Sequence, residues 1–87
     1  SGARRMNGNE IGQVNNILGF VHFTMENYPA AIRAYEQVLA QGENVPEGLE
    51  VQTLYTLAQL SFVAEKYQDA LRYMERWITR ANNPGPD

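Results

Sequence analysis

The sequence contains no cysteine, one histidine (His22), one tryptophan (Trp77) and only seven lysines and arginines in 87 residues. Without cysteine there is no disulfide, no thiolate metal ligand and no thiol nucleophile. Ten acidic residues against seven basic ones leave a net charge of −3. The concentrated basic face that duplex nucleic acid requires is therefore missing, and no nucleic-acid partner is expected. Long apolar runs are missing too. The richest stretch, residues 11–25, is broken by Gln13, Asn15, Asn16 and His22, whereas a membrane span takes about 20 mostly apolar residues. No membrane insertion is expected. Gly42 and Gly48 have neither the spacing nor the following lysine of a phosphate-binding loop. His22 and Glu26, four residues apart, offer two metal ligands where a site takes three or four. With no nucleophile–base pair either, the residues argue against an enzyme, a metal site and a bound cofactor.

What is present is a repeat. Leu18-Gly19 matches Leu57-Ala58, and Phe23 matches Phe62. The run Tyr28-Pro29-Ala30-Ala31-Ile32-Arg33 matches Tyr67-Gln68-Asp69-Ala70-Leu71-Arg72. Tyr35 aligns with Met74, and Val38 with Trp77. Every pair is 39 residues apart. So many matches at one offset mark a repeated supersecondary unit.

Each unit reads as two helices, so the chain is expected to be all-α. In the first helix Ile11, Val14, Ile17, Leu18 and Val21 follow the helical period and are expected to be buried. Glu26-Asn27 ends it, and Asn27 is a good N-cap for the second helix, with Pro29 in the opening turn where a missing N–H costs nothing. That helix is expected to bury Ala31, Ile32, Tyr35, Val38 and Leu39 and to stop at Gly42. Pro46 opens the third helix, with Glu47 and Glu50 in its first turn. Its expected buried stripe is Leu49, Leu54, Leu57, Ala58 and Phe62. After a turn at Glu65-Lys66, the fourth helix is expected to turn Ala70, Leu71, Met74, Trp77 and Ile78 inward, and the run from Asn82 to Pro86 is its stop. Gly19, Ala31, Ala58 and Ala70 are read as points where two helices approach closely. The expected organisation is a remnant or disordered lead at residues 1–9, repeats at 10–45 and 46–83, and a tail at 84–87.

This pattern resembles the tetratricopeptide repeat (TPR), a unit of about 34 residues made of two antiparallel helices. The residues that carry the likeness are Leu18-Gly19, Tyr28, Ala31 and Tyr35, then Leu57-Ala58, Tyr67, Ala70 and Met74, with Pro46 and Pro84 after the second helices. The departures are the longer offset, placed at residues 42–47, and Trp77 where a small residue is usual. The resemblance implies an α-solenoid of two helix-turn-helix units that serves as a scaffold binding a protein or peptide in a concave groove. A narrower likeness, carried by residues 53–60 and 81–87, is to bacterial TPR proteins of TonB-type envelope systems. It implies an exported, periplasmic parent; the cytoplasm is the alternative compartment.

In such arrays the first helix of each pair lines the groove. The expected groove residues are therefore Gln13, Asn16, Phe20 and Phe23, then Gln52, Tyr55, Gln59 and Phe62, with packing against the neighbouring helix pair as the alternative for the four aromatics. Amides suit a peptide backbone, and aromatics supply area and pockets. Residues 11–25 and 47–64 contain no Lys or Arg. A basic clamp for an acidic chaperone C-terminus is thus absent, and that partner is not expected. Arg72, Arg76 and Arg80 form a ridge four residues apart, read as a solvated helix face near its C-terminus. A repeat buries its apolar face mainly against its neighbours. Met74, Trp77 and Ile78 are therefore expected to mark an open end, either continued by further repeats or covered by a second copy in a homodimer.

Overall fold

The computed structural model describes residues 5–82. Among these the chain forms four α-helices and one short 3-10 turn: α1 (Gly8–Thr24), α2 (Tyr28–Ala40), the turn Gly42–Asn44, α3 (Glu47–Val63) and α4 (Tyr67–Asn82). The helices pair as two helix-turn-helix units, α1 with α2 and α3 with α4, and α3 stacks on α2.

The start of α1 is set locally. Asn7 Oδ1 accepts from the Glu10 amide at 2.8 Å, while the Asn7 amide donates to Glu10 Oε1 at 2.9 Å. This reciprocal capping box satisfies two of the orphan donors at a helix start. The helix thus begins inside the stretch read as a lead. The tail at 84–87 lies outside the described residues.

The same reversal is built twice. After α1, Glu26 adopts φ 61°, its amide donates to the Phe23 carbonyl, and the Asn27 amide donates to that of His22 at 2.9 Å. After α3, Glu65 adopts φ 63°, its amide donates to Phe62, and the Lys66 amide donates to Ser61 at 2.7 Å. Both are left-handed caps that satisfy the last carbonyls of the first helix, with glutamate in a position that favours glycine. Gly42, two residues after the end of α2, also has a positive φ, 56°.

The core is formed by Ala31, Ile32, Tyr35 and Val38 of α2, Leu54, Leu57, Ala58 and Leu60 of α3, and Tyr73 of α4. Several expected inward residues are not there. In α1 the buried positions are Gly12 and Gly19, while Val14, Ile17, Leu18 and Val21 are exposed. Phe62 on α3 is exposed, as are Leu71 and Ile78 on α4, where Tyr73 takes the buried place. On the first helices, α1 and α3, the reason is shared. A first helix is apolar on more than one side, so periodicity alone does not select the side that meets its partner. In α1 close approach selects it instead, at Gly12 and Gly19.

One polar contact ties the two units together and another braces the second unit internally. The Tyr73 hydroxyl donates to Glu36 Oε2 on α2 at 2.8 Å, and Arg80 Nε donates to Glu50 Oε1 on α3 at 3.1 Å. Arg80 also lies 3.6 Å from Glu47. Arg72 pairs with Asp69 within α4. Two of the three ridge arginines are thus engaged inside the chain.

Candidate binding surfaces

The first helices of the two units, α1 and α3, flank an open cleft of about 320 Å³. Asn16, Ile17 and Phe20 form one wall, Gln52 and Thr56 the other, and Tyr35 of α2 is at the base. The helical period puts Asn16 and Phe20 on one side of α1, and Gln52 and Thr56 on one side of α3. The cleft therefore carries amide and hydroxyl groups beside exposed aromatic and aliphatic surface. No Lys or Arg lies on α1 or α3. Thr53, at the cleft's inner edge, is buried and its hydroxyl has no hydrogen-bond partner.

Only Asn16, Phe20 and Gln52 of the eight expected groove residues meet in this cleft. Gln13 is exposed and bonds Asn9 one turn earlier at 3.3 Å. Phe23 packs within its own unit, its ring 6.1 Å from Tyr28. Phe62 does the same in the second unit, 5.4 Å from Tyr67. Tyr55 packs on Trp77 at 5.2 Å. Gln59 faces a different groove altogether. Ile17 and Thr56 in the cleft were not expected. They lie one residue beyond Asn16 and one turn beyond Gln52, so the spacing of the amides was the available signal.

That second groove, about 550 Å³, opens between α3 and α4 on the outer end of the second unit. Phe62, Val63, Tyr67 and Leu71 form most of its wall, with Ala58 and Met74 behind them. Of the three residues expected to form an open end, only Ile78 is exposed. Met74 and Trp77 are half-buried against the core, and Trp77 is held by Tyr55. A mirror situation exists at the other end, where Val14, Leu18 and Val21 form an exposed apolar stripe along α1, followed by exposed Met25 at its C-cap.

His22 is half-buried and its Nδ1 has no hydrogen-bond partner. Among the described residues no group of three or more His, Cys, Asp or Glu could hold a metal ion, and no helix is long and apolar enough to cross a membrane.

The paired helices, the repeated left-handed caps and the cleft between first helices define a helical-repeat module. The tetratricopeptide-repeat family matches residues 10–83, and the chain belongs to that family. TPR units are non-catalytic modules that mediate protein–protein interactions and bind proteins or peptides. No curated protein and no solved structure matches the chain. The narrower likeness to envelope energy-transduction proteins finds no support in these comparisons.

Proposed function

We propose that this chain is a non-catalytic scaffold module that binds an extended, uncharged segment of a partner protein in the cleft between α1 and α3. The observation that carries the reading is the meeting of Asn16 and Gln52, from successive first helices, beside the exposed ring of Phe20. Amide side chains donate to and accept from a peptide backbone, and the Phe20–Ile17 surface takes an apolar side chain of the partner. The absence of Lys and Arg from both helices sets the charge preference. A carboxylate placed here would lose its hydration without a counter-charge, so acidic segments are disfavoured.

The test is selection of binders from a random peptide library displayed on phage, followed by calorimetry of the selected peptides. Peptides poor in Asp and Glu are expected, and Phe20→Ala should weaken them by about tenfold or more, the loss of one buried anchor. Asn16→Ala with Gln52→Ala should weaken them further. Binders that ignore all three substitutions would move the site elsewhere.

A second reading, self-association through the terminal helices, is favoured by the apolar surface at both ends of the molecule.

A further inference from the structure

The two helix-turn-helix units differ in one respect that the 39-residue repeat makes measurable. Both α1 and α3 pair with the second helix of their own unit. Among the described residues only α3 has another unit before it. Residues buried in α3 but exposed at the equivalent positions of α1 are therefore those that α2 covers. Thr53, Leu57 and Leu60 are 1%, 0% and 2% exposed, and their equivalents Val14, Leu18 and Val21 are 39%, 43% and 43% exposed. The converse comparison identifies the other side of this joint. Ile32 of α2 is 5% exposed, whereas its equivalent Leu71 of α4 is 60% exposed. Leu39 is packed against the core, and its equivalent Ile78 is exposed.

One end of the molecule thus displays the α3 half of the internal α2–α3 joint, and the opposite end displays the α2 half. Each exposed position has kept an apolar side chain of similar size. A scatter of surface apolar residues would not reproduce both halves of one interface in register.

We propose that copies of this chain associate head to tail. The Val14–Leu18–Val21 stripe of one copy seats on the Leu71–Ile78 face of the next, as α3 seats on α2 within the chain. The partner is a second copy because the interface is continuous in kind with one the chain already forms. Such a contact uses two different patches, so it is heterologous and does not terminate at a dimer. This inference is separate from the peptide cleft, since neither patch includes Asn16, Phe20 or Gln52.

The test is weight-average mass by sedimentation velocity over a range of concentrations, on the wild-type chain and two variants. Leu18→Glu disables the head and Leu71→Glu disables the tail. Both side chains are exposed, and circular dichroism should show both variants folded; Val21→Glu and Ile78→Glu serve if either is not. The wild-type mass is expected to rise with concentration past the dimer. Each variant alone should stay at the monomer mass. An equimolar mixture should form a dimer and go no further, because one intact tail then meets one intact head. A wild-type chain that is monomeric throughout would overturn the proposal and assign both faces to other repeats. A wild type that stops at a dimer, or variants that fail to complement, would equally overturn it.

Discussion

At the scale of single residues, the contact between Gly19 and Tyr35 shows how the two units solve one packing problem differently. A Cβ on Gly19 would lie 2.7 Å from two atoms of the Tyr35 ring. At the equivalent positions of the second unit stand Ala58 and Met74, side by side in the wall of the outer groove. A rigid ring requires glycine opposite it; a flexible thioether chain makes way for a methyl. Gly19→Ala should therefore destabilise the chain by about 1–2 kcal/mol, an overpacking cost partly offset by alanine's higher helix propensity. In a Tyr35→Met background the same change should be neutral or stabilising. A double-mutant cycle read by urea unfolding checks this, and independent effects would show that the ring is not what excludes the methyl.

At the scale of elements, the connection between units is a packed part of the fold. The sequence marks residues 42–47 only as an insertion relative to the usual repeat length. In the structure the Gly42–Asn44 turn delivers Val45 into a buried position against Gly12, where an added Cβ would come within 2.3 Å of Val45 Cγ1. The absent side chain of Gly12 is what makes room for Val45. Val45→Ala should cost about 1–2 kcal/mol, in line with removal of buried methyl groups. Glu43→Ala, on the exposed side of the same turn, should change stability by less than about 0.5 kcal/mol. Chemical denaturation of both variants distinguishes a packed connection from a passive loop, for which the two costs would be alike.

At the scale of the whole molecule, stability depends on groups that must keep their protons. Tyr73 is buried and donates to Glu36, and both effects push its pKa up to about 12. Burial also raises that of Tyr35. An unfolded tyrosine ionises near 10. The folded state thus retains protons that the unfolded state releases, so the contribution is complete below about pH 10 and is lost as pH rises from there towards 12. Urea midpoints should hold level up to about pH 10 and then fall. Tyr73→Phe should make that fall shallower, and an unchanged profile would show that the Tyr73 proton is not retained.

Read from sequence alone, the repeat, the all-α class, the order of four helices and the positions of both reversals were legible. The reason is that caps, turns and a 39-residue self-similarity are local or one-dimensional signals. The α2 face of Ala31, Ile32, Tyr35 and Val38 was legible for a related reason, since that helix has a single apolar side. The buried side of α1 was not. Its apolar residues surround the helix, and Gly19, read from the sequence as a point of close approach, and Gly12, which meets Val45, carry no hydrophobic signal. The cleft suffered similarly, as Phe23, Tyr55 and Phe62 are aromatic like Phe20 yet pack on Tyr28, Trp77 and Tyr67. The sequence by itself determined which helices form and how they pair. Only the tertiary structure decided which apolar faces are covered, because coverage depends on which neighbouring helix is there to take them from water.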